Sequence, residues 1–184
     1  MKCPVCRDAV LGFVDLEGDL RALACPRCHG HWIQSYRYWK WRDRQGKDLP
    51  ERAVGAEVAA VEGDSPAGKL CPECRHFLIR YPVGHEVTFQ LDRCGNCGGV
   101  WLDGNEWETL RARNLHDDLH LIFSTTWQRE VRAEAERLTR RERYAAILGE
   151  ADCQRVREFR AWADAHPETH VVYALLSDRE DVQA

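Results

Sequence analysis

Nine cysteines stand at positions 3, 6, 25, 28, 71, 74, 94, 97 and 153. Eight of them form four Cys-x-x-Cys pairs, and the pairs group two by two. Cys3, Cys6, Cys25 and Cys28 make one group, with eighteen residues between its pairs; Cys71, Cys74, Cys94 and Cys97 make the other, with nineteen. A Cys-x-x-Cys turn aims two sulfurs at one point. Two such turns brought together supply four thiolates at the corners of a tetrahedron, the geometry zinc takes in closed structural sites. Pro4, Pro26 and Pro72 hold the second place of three pairs and pre-set a turn. Gly95 and Asn96 fill the fourth pair and tolerate left-handed angles. The pattern predicts two structural Zn2+ ions per chain, with rubredoxin-like iron as the rival metal. Four disulfides would need an oxidising compartment, and a redox Cys-Pro-x-Cys belongs beside a βαβ pattern that these pairs lack.

Several function classes fall away. Lys and Arg number 26 and Asp and Glu 30, a formal net charge of −4. Each four-thiolate zinc site adds about −2, which takes the chain to roughly −8. A strongly basic nucleic-acid coat is excluded, although a local basic patch is not. There is no P-loop, Gly-x-Gly-x-x-Gly or Gly-x-Ser-x-Gly. A site closed by four cysteines keeps no position for water or substrate, so no catalytic residue is expected. No apolar run nears the roughly 18 residues of a membrane helix. Cys3 and Cys6 follow Met1 too closely for a signal peptide, so a cytoplasmic location is the expectation.

The elements that must position the cysteines repeat. With an offset of 69, Cys25, Cys28, Gly30, Trp32, Ile33 and Tyr38 fall on Cys94, Cys97, Gly99, Trp101, Leu102 and Trp107. The N-terminal pairs align with one residue of slippage. This is an internal duplication in tandem. Between the pairs of each copy the apolar residues alternate around a turn, as in a β-hairpin. The hairpins run over residues 10–14 and 20–24 around Glu17-Gly18-Asp19, and over 77–81 and 86–91 around Pro82-Val83-Gly84-His85. Either module is too small to bury a sufficient core, so metal must supply the missing stability.

The run Leu70-Cys71-Pro72-Glu73-Cys74, followed by Asp92-Arg93-Cys94-Gly95-Asn96-Cys97-Gly98-Gly99-Val100-Trp101-Leu102-Asp103-Gly104-Asn105-Glu106, closely resembles the TFIIB-type zinc-ribbon family. Residues 70–113 carry the whole family pattern. Residues 2–42 carry it more loosely, with His29 for the first Gly and Gln34 for the Asp. The resemblance implies zinc held by four cysteines in a ribbon fold, and a docking role in transcription or elsewhere.

The expected architecture is small zinc-stabilised β, two zinc ribbons, plus an α-helical C-terminal region. Its segments are ribbon 1 over residues 1–41, a linker over 42–69, ribbon 2 with a short helix over 70–113, and helices over 114–184. A short helix over 50–62 fits the linker's Ala and Glu. Asp103 or Asn105 is placed to cap the short helix toward Arg113. Thr125-x-x-Gln128 resembles a capping box, with Trp127, Val131, Ala135, Leu138, Ala145 and Leu148 at helical spacing. Gly149 stops that helix. A further helix from Asp152 buries Val156, Phe159 and Ala163 and ends before Pro167. Residues 170–176 are ambiguous between strand and helix.

Tyr36, Arg37, Trp39, Lys40, Trp41 and Arg42 interleave aromatics with cations, and residues 1–41 carry a net charge of +2. Such a stripe stacks bases and holds phosphates, or it packs the ribbon onto its own helix. The second reading is preferred, with a protein as the partner class. Nucleic acid over residues 36–44 and a thiol redox or zinc-responsive switch remain the alternatives, and a homodimer through the C-terminal helices stays open. The arginines at 129, 132, 137, 140, 141 and 143 alternate with glutamates as on a solvated helix face. His116 and His120, at i,i+4, lack the His-Glu-x-x-His pattern and are taken as surface residues. Cys153 is taken as a small buried hydrophobe.

Overall fold

The computed structural model describes residues 1–45, 67–85 and 87–178. The chain divides into two compact units, Met1–Val131 and Arg132–Ala184.

In the first unit the ribbons do not stand apart. The first supplies β1 (Gly12–Asp15), β2 (Arg21–Ala24), β3 (His31–Ile33) and helix α1 (Ser35–Gln45). The second supplies β4 (Leu78–Gly84), β5 (Val87–Cys94), β6 (Val100–Leu102) and helix α2 (Glu106–Ala112). All six strands form one sheet in the order β1-β2-β3-β6-β5-β4, with every neighbouring pair antiparallel. Each ribbon is a hairpin with a third strand. The third strands meet at the midline, where His31, Trp32 and Ile33 oppose Leu102, Trp101 and Val100.

Strand alternation then sorts the side chains onto two faces. Trp32 and Trp101 cluster with Cys3, Cys25, Cys71 and Cys94. Ile33, Val100 and Leu102 pack instead with Tyr38 and Trp41 of α1, with Trp107 and Leu110 of α2, and with Leu119 and Ile122 of the single-turn helix α3 (Leu119–Ile122). The core that neither ribbon has alone is therefore shared. Two glycines permit the seam. A Cβ on Gly99 would overlap the indole of Trp32, and one on Gly30 would overlap that of Trp101. Neither glycine has a positive φ, so close approach alone excludes a side chain at both positions.

Helix α4 (Thr125–Leu148) begins in this unit. Ser124, not Thr125, caps it: its Oγ accepts the N–H of Trp127 at 3.2 Å. Gln128 makes no capping box. It donates through Nε2 to the carbonyls of Pro82 at 2.9 Å and Ile122 at 2.8 Å, while Trp127 Nε1 donates to Val83 O at 2.7 Å. Residues 114–131 thus pack with the sheet. Strand β4 also outruns its expected end at Tyr81 and turns at Gly84 and His85, both with positive φ. Helix α1 continues to Gln45, past the start assigned to the linker at residue 42. The helix expected over 50–62 lies outside the described residues, as do Glu86 and the tail beyond Asp178.

The second unit holds the rest of α4, then α5 (Glu150–Ala165) and α6 (Thr169–Ser177). Gly149 breaks the chain between α4 and α5 with φ +80°. Residues 170–176 are helical. On α5 the buried positions are Cys153 and Ala163; Val156 and Phe159, expected inside, are exposed. The arginines at 129, 132, 137, 140, 141 and 143 are all exposed.

Candidate metal centres and the aromatic helix

Each four-cysteine group converges. Within each, the four Sγ atoms lie within 4.8 Å of one another. Cys3 and Cys28 are 3.6 Å apart and Cys6 and Cys25 3.8 Å; Cys71 and Cys97 are 3.6 Å apart and Cys74 and Cys94 3.4 Å. A tetrahedron with Zn–S bonds of about 2.3 Å has edges of about 3.8 Å. All nine cysteines are free thiols, so the four-disulfide arrangement is not adopted.

The four knuckles share one backbone design. In each, the N–H of the residue after the second cysteine returns to the carbonyl of the first: Arg7 to Cys3, His29 to Cys25, Arg75 to Cys71 and Gly98 to Cys94, at 2.9–3.0 Å. Those four residues have φ between +57° and +72°. The left-handed position is therefore Gly98 in the fourth knuckle, and not Gly95 or Asn96 within it. Backbone N–H groups inside the knuckles point at sulfur, with Cys6 donating to Cys3, Arg27 to Cys25, and Glu73 and Cys74 to Cys71.

The surroundings of the thiols do not favour four thiolates at once. Burial pushes Cys3 up to about 11 and pushes Cys28, Cys71 and Cys97 up as well. Against this, the His76 N–H brings Cys74 down to about 5. Burial also opposes ionisation at Cys25, but the N–H groups of Cys28 and Arg27 outweigh it and bring this thiol to about 7. A dication lets all four ionise together. The donor set, the spacing and the N–H···S bonds fit two structural zinc ions, one per cluster.

A buried ion cluster braces the second site. Lys69 donates to Asp92 Oδ2 and, at 2.7 Å, to Asp103 Oδ2; the three side chains are almost wholly buried. Arg80 approaches Asp92 at 3.4 Å. Asp103 Oδ1 accepts Trp101 Nε1 at 2.7 Å, and Glu106 Oε2 accepts the Asp103 N–H at 2.8 Å. The Asp103 carboxylate is thus held by Lys69 and Trp101, and Asn105, at the N-cap of α2, makes no side-chain cap bond. In the first ribbon Gln34 stands where Asp103 does. Its amide bonds Arg37 at 2.7 Å and Glu73 at 3.3 Å, and Trp32 Nε1 has no partner among the described residues.

Residues 70–113 match the transcription factor zinc-finger model. This is the TFIIB-type zinc ribbon, and the matched stretch runs from just before Cys71 to the end of α2. Neither the curated proteins nor the solved structures contain a match to the chain. The first ribbon, outside the matched stretch, repeats the TFIIB-type ribbon's cluster and knuckle bonds, and its third strand pairs with that of the second across the seam.

The aromatic-cationic stripe of α1 splits across the helix. Tyr38 and Trp41 are buried; Tyr38 Oη donates to Asp117 O, and Trp41 packs against Trp107 and His116 with ring centroids 6.3 and 6.0 Å away. Arg42 is tied to Asp117 O at 3.2 Å. Trp39 is half exposed and packs on His120 at 5.1 Å. Tyr36, Arg37 and Lys40 line a groove of about 490 Å³ with Arg21, Arg44, Asp15 and Asp19. His116 is buried, contrary to the surface position expected, and lies 3.3 Å from Glu17. Among the described residues the histidines join no metal-ligating cluster.

Sequence reasoning missed Lys69, Asp92 as its partner, and Arg21 and Arg44 in the groove. Lys69 carried a readable signal, since it directly precedes the Leu-Cys-Pro-x-Cys run.

Proposed function

We propose that this chain is a non-catalytic zinc protein whose fused ribbons form one rigid platform for docking a protein partner. Zinc ribbons are typically non-catalytic, and four thiolates per ion leave no open coordination position. The observation that carries the reading is the groove beside α1. Arg44 is held by Asp19 at 2.7 Å and Arg21 by Asp15 at 3.7 Å, so the groove presents both signs of charge. The balance falls to the cations, with Tyr36 exposed between them. Two carboxylates in the wall repel a continuous phosphate backbone but suit a peptide with spaced acidic side chains. An acidic segment of a transcription-associated protein, in a reducing cytoplasm, is the partner class that fits. No helix among the described residues is long and apolar enough to cross a membrane.

The alternative of nucleic acid draws on Tyr36 stacking beside Arg37 and Lys40. A pull-down of the intact chain from native lysate, with and without nuclease, separates the two. Retention of partners after nuclease, and their loss in Arg37→Ala/Lys40→Ala, is the expected result. Labelled single-stranded DNA or RNA bound at micromolar concentration, with a log–log salt slope of about −0.7 per phosphate contact, would replace the protein-docking reading.

A further inference from the structure

The helical unit, Arg132–Ala184, has almost no core of its own. Among its described residues, Cys153 and Ala163 are the buried hydrophobic side chains, while eleven larger ones are 39–68% exposed. Ile147 at the end of α4, Phe159 and Trp162 on α5, and Val171, Leu175 and Leu176 on α6 are among them. Helix α6, Thr-His-Val-Val-Tyr-Ala-Leu-Leu-Ser, contains no Lys, Arg, Asp or Glu. A helix apolar around most of its circumference belongs in an interior. A segment of about fifty residues with neither metal nor disulfide rarely holds such helices alone, and oligomerisation is the usual remedy.

Area and charge together indicate what covers these side chains. Taking about 200 Å² for an aromatic and about 90 Å² for an aliphatic side chain, the eleven expose roughly 700 Å². That sum approaches the ~800 Å² that each partner contributes to a standard interface. Residues 132–178 carry eight arginines against nine carboxylates. On α5 these charges pair within the helix or with its start: Arg157 with Glu150 at 2.7 Å, Arg155 with Asp152 at 3.5 Å, Arg160 with Asp164 at 3.7 Å. A charge-balanced surface meets itself without net repulsion, as an isologous interface requires. An anionic lipid surface would call for a basic polar face, which α6 lacks.

We propose that the end of α4, α5 and α6 pair with the same helices of a second copy, so that two chains build one helical core. This is independent of what the groove beside α1 binds. Sedimentation velocity on the zinc-loaded full chain over a hundredfold concentration range tests it. A mass of twice 21.3 kDa is expected at the upper end, with a thermal midpoint of the helical signal that rises with concentration. Val171→Asp/Leu175→Asp should return the mass to 21.3 kDa while zinc stays at two per chain. A tagged wild-type copy should also retrieve an untagged one after mixing, which needs no substitution. A monomer at every concentration, failed retrieval, or a dimer indifferent to the two substitutions overturns the proposal. So does a monomer that floats with phosphatidylserine vesicles, which would assign the helices to a lipid surface.

Discussion

The seam between the ribbons can be broken by a single methyl group. In Gly99→Ala the new carbon would overlap Cζ2 of Trp32 and approach its Cη2 and Cε2 to 2.7 and 3.0 Å. The ring has nowhere to go, because Trp32 is fully buried and its strand is paired on both sides. Overpacking of this kind costs about 1–3 kcal/mol. The backbone at Gly99 is not left-handed, so alanine also restricts the unfolded chain and returns about 0.4–1 kcal/mol. With a rigid indole as the obstacle the upper range applies, and a net loss of about 2 kcal/mol is expected. Trp32→Ala alone should cost about 3–5 kcal/mol through its cavity. With the indole gone the methyl has room, so the double variant should fall short of additivity by about 2 kcal/mol. The control is Gly12→Ala, whose Cβ meets nothing within 4 Å and which should stay within about 0.5 kcal/mol of wild type. The assay is urea unfolding at a fixed, buffered free-zinc concentration, so that metal linkage is constant. If Gly99→Ala is as mild as Gly12→Ala, or the two seam substitutions add, the ribbons do not meet as described.

Elemental analysis should find two zinc ions per chain. Cys94→Ser should lose one and also speed chelator release of the other, because β5 holds β6 and β6 holds β3; an unchanged release rate would separate the two sites. Lys69→Met removes the ammonium shared by the buried Asp92 and Asp103, leaving Arg80 on Asp92 and the Trp101 N–H on Asp103, and should cost about 3 kcal/mol in thermal or urea unfolding, whereas a neutral result would mean the carboxylates are solvated. Burial pushes His31 below its ordinary 6.5, so the unfolded chain takes up this proton first as pH falls. Its contribution is constant above 6.5 and is lost progressively below it, and His31→Gln should show a shallower acid slope than wild type in pH-dependent unfolding.

The metal clusters were legible because ligand chemistry demands particular residues at particular spacings, and the duplication displayed them twice. Hairpins followed from alternation between the pairs. The seam was not legible, although Gly30, Trp32, Gly99 and Trp101 were all visible as repeat partners. Which edge meets which is a long-range choice that no local period encodes. The splitting of the α1 stripe was half readable: helical spacing puts Tyr38 and Trp41 together, yet only packing decides that this face and not that of Tyr36 and Trp39 goes inside. On α5 the same ambiguity misassigned Val156 and Phe159, since several faces of that helix are apolar and little of the unit is packed. The capping box at Thr125 failed because Gln128 had a stronger use, with the carbonyls of Pro82 and Ile122, and Asn105 takes the N-cap position of α2 without a side-chain bond.

Strands β3 and β6 are three residues each, and in a solitary ribbon either would be the sheet's open border, with backbone N–H and C=O groups bare to any passing strand. Covalent repetition solves this hazard with the same border read twice. Because both copies lie on one chain, each meets the other at an effective concentration on the order of millimolar, far above that of stray chains. Expressed separately, the two ribbons would regain those borders and would pair with each other, with themselves, or with whatever sheet they met.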